Sequence, residues 1–212
     1  VSSPAALRLA DPETARDLAT YAARVRAVDA DAGMRLQAAG STLAVWVGVL
    51  PGQGLTSAGV VLGLRVVALA EPAELDAVVP VGAIGDRLVR PDAGTILPVP
   101  PTRVVAPWAA VTPPRGGWDL VGPVDPADIA ETSRSGIAEV ARGTPDGAGS
   151  LAVGALRQRV WSAMTSTTPP FRAGLAFGAV TLGFVPPGGE LRLYACGPWT
   201  RLTSRVGHVL TR

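Results

Sequence analysis

The sequence contains no lysine and no asparagine, and all 19 of its cationic side chains are arginine. It has one cysteine, Cys196, and one histidine, His208. Each scarcity excludes a class of chemistry. Without lysine there is no Walker A phosphate-binding lysine, no Schiff base and no lysine general base. One histidine cannot build a paired-histidine zinc site, and one thiol cannot form an internal disulfide, a redox pair or a thiolate cluster. A metal would have to be held by carboxylates, and no Asp-rich loop has the spacing for it. Both missing residues use codons beginning AA, which beside abundant Ala, Gly, Pro and Arg points to a GC-rich bacterial gene.

Long apolar runs are also missing. Pro4, Arg8, Asp11 and Glu13 interrupt any apolar leader core, and the uncharged stretch between Arg35 and Arg65 is cut by Pro51-Gly52-Gln53-Gly54. Neither piece has the length of a membrane-spanning helix, so the expectation is a soluble, cytoplasmic chain without a membrane partner. What is present is the composition of a folded protein. The 212 residues are 48% hydrophobic and 17% charged, enough for one large or two small domains.

The pattern reads as α+β. Asp11-Pro12-Glu13 is a helix start, and Leu18, Ala22, Val25 and Val28 recur at helical spacing behind it, predicting a helix over 12–28. Apolar runs at 34–39, 42–50 and 60–69, divided by Gly40-Ser41 and the Pro51–Gly59 loop, read as strands. Pro80, Ile84 and Leu88 mark a short helix. These elements make an N-terminal mixed helix and antiparallel-sheet unit, 1–95. Residues 96–124 read as a Pro/Trp-rich connector packed on the fold through Trp108 and Trp118; its proline density begins at Pro91. A basic unit, 125–212, follows. Asp125-Pro126 repeats the helix start, and Ile129, Ile137 and Val140 form a stripe ending at Gly143. A loop over Gly143–Ser150 precedes a second helix marked by Leu156, Val160 and Met164. Phe177, Val180, Thr181 and Phe184 fit a third, although Gly174, Gly178 and Gly183 weaken it. A β-hairpin, Leu191–Ala195 and Trp199 onward about a Cys196-Gly197-Pro198 turn, closes the chain. Helices followed by a hairpin give a winged-helix-like element order.

Charge is unevenly placed. Residues 151–212 carry seven arginines against Glu190 alone, a net of +6, while residues 1–100 and 101–150 are each net −2. A one-sided positive field attracts polyanions. The candidate contact residues are Arg157 and Arg159 on a helix, Arg172 before the next, and Arg192, Arg201 and Arg205 on the hairpin. Trp199 is the expected anchor. Trp199, Arg201, Thr203 and Arg205 alternate, so as a strand they project from one face.

Other motifs carry less. Gly52-x-Gly54-x-x-Ser57 with Glu71 has part of a dinucleotide-binding pattern, but the third position is Ser and a hairpin loop fits better. Gly54-x-x-x-x-Gly59 lacks the lysine of a P-loop, and so does Gly143–Ser150. Pro98-x-x-Pro101-x-Arg103 matches a polyproline ligand pattern that a proline-rich connector produces by chance. Cys196 and His208 would form a thiolate–imidazole pair only if the closing strands brought them together. Asp29/Asp31 and Glu74/Asp76 sit where acids cap and turn the chain. The resulting expectation is a non-catalytic binding protein without a cofactor, contacting a protein partner or itself through the arginine-rich C-terminal module. Nucleic-acid binding by that module is one alternative. An enzyme or small-anion binder with a cleft near Trp108 and Trp118 is another.

Overall fold

The structure, a computed structural model, describes residues 5–54, 57–90, 94–144 and 149–212. In chain order the elements are β1 (Ala6–Arg8), α1 (Pro12–Val28), β2 (Gly33–Leu50), β3 (Val61–Pro80), α2 (Val81–Leu88), β4 (Ile96–Pro98) and a 3-10 turn at Pro107–Ala110. They continue with β5 (Asp119–Val124), α3 (Pro126–Arg142), α4 (Ser150–Ser162), α5 (Ala173–Leu182), β6 (Leu191–Cys196), β7 (Trp199–Ser204) and β8 (Gly207–Thr211). The α+β class read from the sequence holds. The chain divides into two units, 1–48 with 64–111 and 49–63 with 112–212. The boundary passes through the β2–β3 hairpin, whose arms belong to the first unit and whose tip belongs to the second.

In the first unit the start of α1 follows from its sequence. Asp11 accepts a hydrogen bond from the Thr14 amide at 2.7 Å, and Pro12, which has no amide proton to leave unpaired, occupies the first turn. Leu18, Tyr21, Ala22 and Val25 form its buried stripe, and the helix packs beside α2. The two strands expected at 34–39 and 42–50 are one strand, β2. Its buried positions are Met34, Leu36 and Ala38, then Leu43, Val45 and Val47, so the alternation changes phase across Gly40. Gly40 has φ +56°, a left-handed conformation that absorbs one extra residue and returns the apolar side chains to the core face. The acidic pairs have structural work here. Asp76 takes both Arg35 Nε (2.7 Å) and Arg35 Nη2 (2.6 Å), while Glu74 accepts from the Gly40 amide at 3.1 Å and Asp29 from the Asp31 amide at 3.0 Å.

The second unit is built around α5. Seven of its ten residues are buried, so it is apolar all round, and the glycines that weakened it as a sequence allow close packing. A Cβ on Gly178 would stand 2.8 Å from Val209 Cγ1 and 3.1 Å from Val61 Cγ1, and one on Gly174 would stand 2.8 Å from Val61 Cγ2. Gly136 of α3 admits the Trp161 ring in the same way, and that ring stacks on Phe177 at 4.5 Å. Strand β8 follows β3, β7 follows β8, and β6 and then β5 complete the order. The pairs β5–β6, β6–β7 and β7–β8 are antiparallel.

The winged-helix-like order does not emerge. A strand, β5, precedes the helices and pairs with β6, and the closing hairpin is a three-stranded meander. Strand β5 lies inside the stretch read as connector. It tolerates Pro123 because it is the edge strand of its sheet, where a missing amide proton breaks no ladder on its outer side. The Gly143–Ser150 loop falls at 145–148 outside the described residues, as do Leu55 and Thr56 of the Pro51–Gly59 loop and Pro91.

Candidate functional site

The meander β6–β8 has two unlike faces, fixed by its register. Leu191, Leu193, Leu202, Ser204, Val209 and Thr211 are buried on the face toward α5. The opposite face carries a row in which Arg192 stands beside Thr203 and Thr203 beside His208. Next to it is a row of Tyr194, Arg201 and Leu210, of which Leu210 is buried. Cys196 and Trp199 end it at the Gly197-Pro198 turn. No carboxylate stands in these paired rows, and the acid beside them is Glu190, just before β6.

Arg201 sits at the centre. Its guanidinium carbon lies 4.5 Å from the Trp118 ring centroid and 4.7 Å from that of Tyr194. Trp118 is held by donating its indole proton to the Pro114 carbonyl at 3.0 Å. Among the described residues Arg201 makes no hydrogen bond or ion pair, and its Nε is buried without a partner. Burial lowers its pKa from the usual guanidinium value, only partly offset by Tyr194. His208 is half-buried, with Nδ1 3.1 Å from Thr203 Oγ1. Burial first, and the nearby Arg201 charge second, push its pKa down to about 4, so its ring is neutral at pH 7.

At the end of the meander nearest the β7–β8 turn, a groove of about 530 Å³ is lined by Gly188, Gly189, Glu190, Arg192, Thr203, Ser204 and Arg205. Arg192 reaches Glu190 at 2.9 Å, and this exposed pair is weak because both groups are solvated. Arg205 is exposed in the turn and has no acidic partner among the described residues. A more apolar groove of about 540 Å³ adjoins it, with Leu120, Pro123, Val124 and Pro126 beside Glu190 and Arg192.

The other candidate residues are spread. Arg157 and Arg159 are exposed on α4, and Arg159 stands 4.0 Å from Glu139. Arg172 precedes α5 and donates to the Ser162 carbonyl at 3.1 Å. Trp199, expected as the anchor, is instead 4% exposed and belongs to the packing. Arg205 lies in the turn beyond the end of β7, so the expected alternation extends only to Thr203. Tyr194 and Trp118 were missed as partners of Arg201. Their signal was the register, which places Tyr194 opposite Arg201 once the Gly197-Pro198 turn is fixed.

The register also separates Cys196 from His208. Cys196 is level with Trp199 and His208 with Thr203. That is on the order of 13 Å along the strands as well as two strands across. No thiolate–imidazole pair forms. Trp108 belongs to the first unit, where it packs on Gly48, and Trp118 to the second. Among the described residues no three His, Cys, Asp or Glu side chains gather to hold a metal, and no helix is long and apolar enough to cross a membrane.

Comparison with known families matches residues 2–109 to a domain of unknown function, DUF8010, and residues 113–212 to a second, DUF8185. No curated protein matches the chain.

Proposed function

The chain belongs to the DUF8010 family, and for this member we propose a non-catalytic role, the binding of an acidic protein surface by its second unit. The contact is the outer face of β6–β8, whose paired rows hold no acid, with the adjoining groove, and Arg192, Arg201 and Arg205 supply the charge. The observation that carries this reading is the pairing of Arg192–Thr203–His208 and of Tyr194–Arg201 in rows without an acid. A surface of that kind is completed electrostatically by a partner. The arginines on α4 and before α5 belong to the wider field and not to the contact. The proposal takes the protein as bacterial and cytoplasmic, resting on its codon-biased composition and single thiol.

Nucleic acid is the second reading. It is favoured by the arginines and disfavoured by the aromatics. Trp199 is buried, while Trp118 and Tyr194 each already carry the Arg201 guanidinium on one face. The test is a parallel titration with polyglutamate and with duplex and single-stranded DNA, at low and at high salt. The proposal expects salt-sensitive binding of polyglutamate at least as tight as that of either nucleic acid. Tighter nucleic-acid binding transfers the reading to the alternative, and no binding to any of the three overturns both. If the partner is a second copy of the chain, sedimentation shows a dimer that dissociates as salt rises.

A further inference from the structure

Arg201 is a cation set among aromatic rings, with no acid or acceptor of its own among the described residues. Two rings lie against the guanidinium, at 4.5 and 4.7 Å, and attract it through their π-electrons. The N–H donors of a guanidinium form a planar fork. Among the described residues none of these donors meets an acceptor, and Nε is shut away from solvent. A carboxylate or phosphoryl group satisfies two N–H donors of such a fork together. Thr203 follows Arg201 on the same face. A second contact is therefore available to whatever the fork holds.

We propose that Arg201, framed by Trp118 and Tyr194, is a subsite for one oxyanion, a phosphoryl or carboxylate group of a ligand. The rings keep the guanidinium in place without neutralising it, which an aspartate or glutamate would do. Lysine cannot take this role because its ammonium offers no planar fork. The inference shares its face with the proposed partner contact and takes that face to be accessible, but it concerns a single anionic group and has its own test.

Inorganic phosphate and acetate are the probes, each titrated into the full chain at constant ionic strength made up with sodium chloride. Tryptophan emission and calorimetry follow the titration. The expected result is a saturable response to at least one probe, lost in Arg201→Gln and weakened tenfold or more in Arg201→Lys. Trp118→Phe removes most of the emission change. A response to phosphate alone identifies a phosphoryl source, and a response to acetate alone a carboxylate. Circular dichroism establishes that each variant is folded, and if Arg201→Gln is not, Arg201→Lys decides. No saturable response in the unaltered protein overturns the proposal, as does an undiminished response in Arg201→Lys. Arg192→Gln with Arg205→Gln is expected to lose polyglutamate while keeping more than half of the small-anion response. Binding of a small anion without polyglutamate therefore refutes the partner reading alone, and the converse refutes the subsite alone.

Discussion

Replacing Gly178 by alanine sets two terms against each other. In a helix interior alanine is better than glycine by about 1 kcal/mol, because the glycine chain loses more freedom on folding. Against that, the new methyl group would stand 2.8 Å from Val209 Cγ1 and 3.1 Å from Val61 Cγ1. Both valines are buried, at 1% exposure each, and β-branched, so neither can turn aside without leaving its rotamer well. Overpacking of this kind costs about 1–3 kcal/mol. The helix must move off the sheet or the valines must strain, and the variant is expected to be destabilised by about 1 kcal/mol net. Gly154 of α4 is the control, since a Cβ there meets nothing within 4 Å. Its replacement by alanine retains only the propensity gain and stabilises by about 0.5–1 kcal/mol. Urea denaturation of the two variants beside the parent gives the comparison, with midpoints displaced in opposite directions at an unchanged slope. A Gly178→Ala protein as stable as the parent, or more so, refutes the close packing of α5 on β3 and β8.

Three further outcomes follow from the same unit. His208 has its pKa lowered from 6.5 to about 4, so the unfolded chain binds more protons between those values and stability rises with pH across that window. The contribution is fully present above pH 6.5 and falls away toward pH 4, by about 3 kcal/mol in all; in urea unfolding at pH 7.5 and pH 4.5, His208→Gln must remove most of this pH dependence or the burial of the ring is wrong. Asp125→Ala removes the acceptor that takes the Ala127 amide at 2.8 Å and should lower stability by about 1 kcal/mol, while Asp125→Ser recovers most of it. Gly136→Ala drives a methyl group into the Trp161 ring, and a loss of about 1–2 kcal/mol with altered tryptophan emission is expected.

The parts of the fold legible in the sequence were those governed by local signals. The Asp-Pro starts at 11–12 and 125–126, the helix over 12–28 and the stop at Gly143 all depend on residues a few positions apart. The helix after Pro80 was found the same way. Strand β5 was hidden because its prolines read as connector, and only its pairing with β6 makes it a strand. Gly174 and Gly178 count against a helix locally and for it only when Val61 and Val209 are brought close. The arginine excess was visible in composition. Its division between α4 and the outer face of β6–β8 depends on register, as does the burial of Trp199, which no local pattern distinguishes from an exposed tryptophan.

Charge reversal in two places measures directly which arginines make the contact. Polyglutamate affinity is determined at low salt for Arg192→Glu with Arg205→Glu and for Arg157→Glu with Arg159→Glu, the same change in net charge made at the meander and on α4. The account predicts a loss of tenfold or more for the first pair and less than threefold for the second. Equal losses, or a larger one on α4, would show that binding follows the overall field and that the outer face of the meander is not the site.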